Sequence, residues 1–101
     1  MTETQYRASR ACRVLGNPTA YGIVRALGRG RKTVSELANL IGVSVQTASL
    51  TLRTLRNIDL VRYEPKTNQR VYWLKDIGVL RVLDDLEGCV ERMRIKRLFR
   101  T

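Results

Sequence analysis

Residues 34–61 read VSELANLIGVSVQTASLTLRTLRNIDLV, and their apolar spacing predicts two short helices joined by a tight turn. Thr33, three residues before a glutamate, fits a capping box at the start of the first helix, and Ser35 is an alternative cap. Gly42 follows the last periodic residue, where a left-handed residue commonly ends a helix, and Ser44 can cap the second helix. Helix, short turn and helix in this order indicate a helix-turn-helix element over about residues 34–57.

The second of these helices is predicted to have a buried face and an outward face. Val45, Ala48, Leu52 and Leu55 fall on one stripe, which we expect to face the core. The outward side combines amide, hydroxyl, guanidinium and apolar groups, which suit base-pair edges in a major groove. Its predicted DNA contacts are Ser44, Gln46, Thr47, Ser49, Leu50 and Arg53, of which Gln46, Thr47, Leu50 and Arg53 face bases and Ser49 lies nearer a phosphate. The alternative is an ordinary helical hairpin whose polar front faces water.

Length and charge limit the kind of protein. A chain of 101 residues is near the common domain size, which predicts one domain over residues 1–101. Lysine and arginine total 19 against 9 acidic residues, with no histidine, for a net charge of +10. The basic residues recur along the whole chain, so double-stranded DNA is favoured as the partner over a membrane surface.

Several classes of protein are disfavoured. No stretch resembles a signal peptide or approaches the roughly 20 apolar residues that span a bilayer, so we expect a cytoplasmic protein with no membrane partner. Two cysteines are too few for a disulfide scaffold. The sequence contains no nucleophile beside a base, no glycine-rich phosphate loop and no metal cluster, so we expect neither an enzyme nor a bound cofactor.

Two further helices are predicted before residue 34. The first covers Tyr6–Leu15, and Pro18 suits the first turn of the second. After the second helix comes a basic segment, Gly28–Lys32, which we expect to be a flexible loop. One face of the first helix carries Ala8, Ala11, Cys12 and Leu15.

A β-hairpin is predicted after the helix-turn-helix. Leu60–Glu64 and Arg70–Leu74 have strand composition and flank a polar tip at Pro65–Gln69. A hairpin in this position, here about residues 60–74, forms a wing. Its predicted DNA contacts are Lys66, Asn68, Gln69 and Arg70, with Lys66 and Arg70 holding phosphates. A solvated turn is the alternative.

The last predicted helix, about residues 76–97, has a wider apolar face than one small core needs. We expect the surplus to be buried against a second copy, which predicts a homodimer. Acidic residues in its middle and basic residues at its end suit the helix dipole, so we assign the acids no catalytic role. The final residues, ERMRIKRLFRT, are alternatively a phosphate-contacting tail. One apolar stripe carries Val79, Val82, Leu86, Cys89 and Met93, with Leu83 and Val90 beside it.

This order of elements resembles that of the ArsR/SmtB family of winged helix-turn-helix repressors over nearly the whole chain. The resemblance implies a mainly α fold with a small β-hairpin wing. It also implies a homodimer that pairs through its first and last helices and represses transcription at an inverted-repeat operator until an inducer weakens binding. The matching residues are Leu15–Thr19, like the family's Leu-Gly-Asp-Pro-Thr turn; Val34–Ala38, Gly42–Ser44, Thr47, Ser49, Leu52 and Leu55 in the helix-turn-helix; and Leu60–Val61 with Tyr72–Leu74 in the wing.

Four positions depart from the family pattern. Ala20 stands where the family usually has Arg, and Thr51 where it often has His, so neither contact is carried over. Asp59 replaces the Gly before the first wing strand, which is tolerable because Asp accepts left-handed conformations better than most residues. Gln69 stands near the usual wing Gly, so a differently built tip is expected.

The sequence does not decide whether an inducer exists or what it is. The family's histidine-containing metal sites need residues that this chain lacks, and Leu37, Ala38 and Asn39 occupy the place of its cysteine-rich helix pattern, so no metal site is predicted. Cys12 and Cys89 remain as a candidate thiol sensor that would form a disulfide or bind persulfide or arsenite. We prefer the simpler interpretation that each is a small buried hydrophobe.

A second class of function stays open beside the repressor. A winged helix can also serve as a protein-interaction module or as a non-specific DNA-coating protein, because a fold does not fix a function.

Overall fold

The computed structural model describes residues 1–93, and over that range the chain forms five helices and a three-stranded antiparallel sheet. This confirms the predicted winged-helix fold, mainly α with a small hairpin. The part of the last helix predicted beyond residue 93, and with it the basic tail, lies outside the described residues. In chain order the elements are α1 (Glu3–Leu15), α2 (Pro18–Leu27), β1 (Lys32–Thr33), α3 (Val34–Ile41), α4 (Val45–Asn57), β2 (Val61–Lys66), β3 (Gln69–Leu74) and α5 (Gly78–Met93).

One hydrophobic core lies between α2, α3, α4 and the inner face of the sheet. Leu83 is the one fully buried residue that α5 contributes, and within residues 1–93 α1 buries none of its side chains fully. Full burial of such side chains contributes about 1.5 to 3 kcal/mol each, so this core is the main source of stability. Its members are Ala20, Ile23, Val24, Leu27, Leu37, Leu52, Leu55, Val61, Tyr72, Leu74 and Leu83.

Both ends of α3 and the start of α4 are set by local features that the sequence predicted. The backbone N–H of Thr33 donates to the Glu36 carboxylate at 2.8 Å, and the Glu36 N–H donates to the Thr33 hydroxyl at 3.2 Å, so Thr33 is the cap. Gly42 ends α3 with φ 81°, a left-handed conformation that costs glycine little. Ser44 then caps α4 by accepting the N–H of Thr47 at 3.0 Å.

The prediction of a flexible loop over Gly28–Lys32 is wrong for Lys32, the last residue of that segment. Lys32 and Thr33 form the short strand β1, which pairs with β3 so that Lys32 lies opposite Tyr72. β2 pairs with one edge of β3, and β1 provides hydrogen-bond partners for the other edge. The strand order is therefore β1-β3-β2.

The hairpin is longer than predicted, and its tip is tighter. β2 continues through Lys66 and β3 begins at Gln69, so only Thr67 and Asn68 form the turn. A two-residue connection follows the natural twist of antiparallel strands and requires a positive φ at its first central residue. Thr67 supplies it with φ 52°, an uncommon conformation for a β-branched residue.

Asp59 occupies the left-handed position between α4 and β2 that the sequence predicted for it, with φ 67°. Its carboxylate accepts a hydrogen bond from the Lys75 ammonium, which lowers the pKa of the Asp59 carboxyl. The Lys75 N–H also donates to the Leu60 carbonyl at 3.1 Å. Residues just before β2 and just after β3 are thereby joined at the base of the wing.

α5 is attached to α2 by Leu83 and by a polar cluster that sequence reasoning did not find. Arg25 pairs with Asp84 at 2.6 Å and with Glu87 at 2.9 Å, and the Tyr21 hydroxyl donates to Glu87 at 2.5 Å. Hydrogen bonds from Arg25 and then Tyr21 lower the pKa of Glu87. Burial and the bond to Glu87 raise the pKa of Tyr21 to about 12. Two of the acids on α5 therefore act in packing the helix.

Some predicted core positions are exposed. Val45 is 52% exposed because it begins α4 at the margin of the core, although Ala48, Leu52 and Leu55 on the same stripe are buried. Cys12 on α1 is exposed as well, because α1 packs chiefly through the half-buried Val14 and Leu15. Among residues 1–93, no helix is long and apolar enough to cross a membrane.

Candidate nucleic-acid interface

The outward face of α4 is a regular stripe of side chains that can form hydrogen bonds or apolar contacts. Gln46, Leu50 and Arg53 stand at positions i, i+4 and i+7, which share one side of a helix, and all three are exposed. Leu50 is 61% exposed, unusual for a leucine that neighbours a core, and it could contact a thymine methyl group. We call Gln46, Leu50 and Arg53 the outer stripe of α4.

Two of the predicted contacts, Ser44 and Thr47, already bind each other. Besides accepting the Thr47 N–H, the Ser44 hydroxyl donates to the Thr47 side-chain oxygen at 2.9 Å. Ser44 is therefore used as the helix cap. Thr47 keeps its own hydroxyl proton for an outside acceptor, and both residues remain exposed. Thr51, where the family often has His, donates instead to the Thr47 carbonyl at 2.9 Å.

A groove of about 300 Å³ lies between the wing and the first turns of α3 and α4, and we call it the wing groove. Val45 and Ser49 line its helix side, and Arg70 lines the opposite wall, so Ser49 and Arg70 face the same space. The structure thus brings together one hydroxyl of α4 and the predicted wing residues Asn68, Gln69 and Arg70. A duplex backbone is a suitable occupant because hydroxyl, amide and guanidinium groups all bind phosphate.

The two cations predicted to hold phosphates lie on opposite faces of the wing. Arg70 is paired across the strands with Pro65, whereas Lys66 is paired with Gln69, and side chains alternate along a strand. The Arg70 guanidinium lies 4.6 Å from the centre of the Tyr63 ring, a cation–π contact that orients it. Lys66 lies 4.0 Å from Glu64 on the other face. The sequence predicted both cations but not this separation.

Arg56 is a residue that the sequence analysis missed. Its guanidinium lies 5.3 Å from the centre of the Tyr63 ring and donates to the Tyr63 hydroxyl at 3.4 Å. Tyr63 thus contacts Arg56 from α4 and Arg70 from β3, with the Tyr72 ring 5.3 Å away. These contacts fix the wing relative to α4. Only the strand register reveals them, because Arg56 and Arg70 are far apart in the sequence.

The two cysteines lie apart from the outer stripe and differ in exposure. Cys12 is exposed on α1, and Cys89 is half-buried on α5, so the expectation that both are buried hydrophobes does not hold within one chain. In residues 1–93, no three side chains of His, Cys, Asp or Glu come together as a metal-binding group.

Comparisons with known proteins agree with the winged helix-turn-helix fold. A family model described as a helix-turn-helix domain matches residues 15–64. The structure of the AntR antimony-specific transcriptional repressor is 27% identical, with 92% of this chain and 86% of AntR covered and a TM-score of 0.78. The transcriptional repressor BigR from Xylella fastidiosa is 26% identical, with 88% and 96% covered and a TM-score of 0.75. No curated protein sequence matches the chain significantly.

A third structure supports the fold alone, because its identity is only 20%. It is the homodimeric winged helix-turn-helix DNA-binding domain of a possible ArsR-family transcriptional regulator from Mycobacterium bovis. The match covers 90% of this chain and 88% of that domain, with a TM-score of 0.76. The protein therefore has the winged helix-turn-helix fold of DNA-binding transcriptional regulators, and residues 15–64 match a helix-turn-helix family model. Family and fold are those of DNA-binding regulators and not of enzymes.

Proposed function

We propose that this protein is a homodimeric repressor that binds an inverted-repeat operator and places α4 of each subunit in successive major grooves. The observation that carries the proposal is the exposed outer stripe of α4 beside a basic wing. Half-sites about one helical turn apart match the two-fold symmetry of a dimer. AntR and BigR are both named as transcriptional repressors, which favours repression over activation. Residues 1–101 would act as one domain, in the cytoplasm with the DNA.

The outer stripe would read bases, and the walls of the wing groove would hold the backbone. Arg53 and Gln46 can form bidentate hydrogen bonds with guanine and adenine edges, and Leu50 can contact thymine methyls. Ser49 and Arg70 would bind the same stretch of the DNA backbone from the two sides of the wing groove. Lys66 would exchange its weak pairing with Glu64 for a phosphate on the outer face of the wing.

The dimer would form on the surplus apolar face of α5. Val82, Leu86 and Met93 are 59%, 50% and 58% exposed, and with the half-buried Cys89 they form one continuous stripe. A stripe of this kind on a monomer marks a protein contact. The exposed side of α1 that carries Ala8 and Cys12 would complete the seam, since small side chains permit close approach of a second helix.

An inducer, if one acts, would bind at this seam. Cys12 and Cys89 both lie on surfaces that the proposed dimer buries, so the two thiols would approach each other between subunits. Paired thiols bind soft, thiophilic species such as arsenite or form a disulfide. The similarity to an antimony-specific repressor favours a thiol-binding inducer. Operator binding by Cys12→Ser and Cys89→Ser under reducing, oxidising and arsenite conditions tests this, and unchanged affinity throughout would remove the thiol hypothesis.

Footprinting on the promoter region of the protein's own gene, together with sedimentation, tests the main proposal. We expect one discrete two-fold-symmetric footprint from a species of twice the chain mass. Binding that touches about 6 to 10 phosphates should weaken by on the order of 10³ to 10⁵ between 50 and 200 mM salt. Uniform protection along the DNA would instead indicate a coating protein, and no protection at all a protein-interaction module.

A further inference from the structure

Helix α1 has two exposed sides of different chemistry. Its inner side carries the half-buried Ala11, Val14 and Leu15. At about 100° per residue, Arg10 and Arg13 fall to one flank of that inner side, whereas the small side chains of the proposed seam fall to the other. The arginine flank therefore stays uncovered when the other flank meets a partner.

The arginine flank of α1 faces α4. One groove of about 210 Å³ has Arg13 and Asn17 on one wall and Leu50 and Thr54 on the other. The neighbouring groove of about 380 Å³ is lined by Arg10 and Arg13 from α1 and by Thr54 and Asn57 from α4. We call these two spaces together the α1 groove. Because Leu50 belongs to the outer stripe, the α1 groove opens on the same side of the molecule as the base-reading surface.

The charge in the α1 groove is not neutralised by the chain itself. Across residues 1–93, neither Arg10 nor Arg13 forms an ion pair, in contrast to Arg25, Arg31 and Lys66, which all pair with carboxylates. An exposed guanidinium beside a DNA-reading helix is complementary to phosphate and binds it bidentately.

The position of the α1 groove relative to the wing groove decides which phosphates it meets. α4 has the wing on one side and α1 on the other, so the two grooves lie on opposite flanks of the outer stripe. If α1 and α5 form the seam, the α1 groove lies towards the two-fold axis and the wing groove away from it. We propose that Arg10 and Arg13 bind the DNA backbone between the two half-sites, while the wings bind the backbone outside them.

This inference rests on the proposed function, and substitution of Arg13 tests it. A dimer with Arg13→Ala loses two phosphate contacts, so the slope of log affinity against log salt should fall by about 1.8, at about 0.9 per phosphate. The affinity lost between 50 and 200 mM salt should then be about tenfold smaller than for the wild type. Random-sequence DNA should show the same change, because phosphate contacts do not depend on base sequence. Arg13→Lys should restore most of the slope, since the contact needs charge.

Arg29→Ala is the matched control, because Arg29 is an exposed arginine beside Gly28 and Leu80, in a groove that α4 does not line. It should leave the slope close to that of the wild type. Hydroxyl-radical footprints on the operator should lose protection between the half-sites with Arg13→Ala and outside them with Lys66→Ala. Thermal melting of each variant should match that of the wild type, because all three residues are exposed.

Two results would overturn the inference while leaving the proposed function intact. The first is a wild-type slope for Arg13→Ala on an operator that the wild type footprints normally. The second is a weaker dimer with Arg13→Ala by sedimentation, which would mean that the arginine pairs with acids of the second copy. A wild-type protein that leaves no discrete footprint would remove the proposed function and this inference together.

Discussion

Helices α4 and α5 are both amphipathic, yet they leave opposite chemistry in water. α4 buries Ala48, Leu52 and Leu55 and exposes amide, hydroxyl and guanidinium groups around a single leucine. α5 buries only Leu83 fully and exposes a continuous apolar stripe. A contiguous exposed apolar stripe is typical of a protein contact, whereas the polar face of α4 suits a hydrated polyanion. One small core thus supports both the face that we propose for DNA and the face that we propose for a second copy.

A charge added to the apolar stripe of α5 should weaken the dimer more than a charge added to the outer stripe of α4. We expect Leu86→Glu to cost about 3 to 5 kcal/mol of dimer stability, because the contact would bury an unpaired carboxylate. The monomer should still fold, since Leu86 is half exposed in it. Sedimentation at micromolar protein should show a species of one chain mass.

Leu50→Glu is the matched control, because Leu50 is similarly exposed on α4. It should leave the dimer intact and abolish DNA binding by placing a carboxylate against phosphates. A dimer that survives Leu86→Glu, or that dissociates with Leu50→Glu, would reverse the assignment of the two faces.

The buried and exposed faces of α4 should also differ in how much a substitution changes the free energy of unfolding. Leu52→Ala should lower the free energy of unfolding by about 2 to 5 kcal/mol, because Leu52 is fully buried and the cavity fills poorly. Leu50→Ala should change it by less than about 0.5 kcal/mol. Urea denaturation of both variants measures the contrast, and equal losses would mean that Leu50 is buried in the folded protein.

A substitution in the turn before α4 should lower stability by a smaller amount and should affect only the helix-turn-helix that we propose reads DNA. Gly42→Ala should cost about 1 to 2 kcal/mol, because an L residue is strained at φ 81° even though a Cβ there would meet no atom within 4 Å. Thermal unfolding gives the loss, and sedimentation should show an unchanged dimer. A neutral result would mean that the turn can adopt another conformation.

The polar side of α5 should show the pH dependence of its attachment to α2. The pKa of Glu87 is lowered by Arg25 and Tyr21, so its contribution is complete above its ordinary pKa of 4.5 and is lost as pH falls through the lowered value. The raised pKa of Tyr21 makes its contribution complete below pH 10 and lost as pH rises towards about 12. The melting temperature of Glu87→Gln should therefore lie below that of the wild type at pH 7 and converge with it in acid. A constant difference down to pH 2 would contradict this.

Local features were predictable from the sequence because neighbouring residues determine them. The capping box at Thr33, the left-handed Gly42 and the two faces of α4 each follow from spacings of a few residues. Asp59 also adopts the left-handed conformation expected from its side chain.

What the sequence missed depends on residues far apart in the chain. β1 is two residues long and exists only because β3 offers an open edge. The separation of Lys66 from Arg70 follows from the strand register, and the attachment of α5 follows from the contact of Arg25 with Glu87. The α1 groove forms because α1 and α4 lie next to each other, and no local sequence pattern predicts that packing.

The central claim is that the outer stripe of α4 reads bases while the wing holds phosphates. The most direct test compares operator and random DNA affinities for the wild type, Arg53→Ala and Lys66→Ala at one salt concentration. We predict that Arg53→Ala weakens operator binding by about 1 to 3 kcal/mol with little effect on random DNA, whereas Lys66→Ala weakens both equally. Equal losses on both DNAs for Arg53→Ala would contradict the claim.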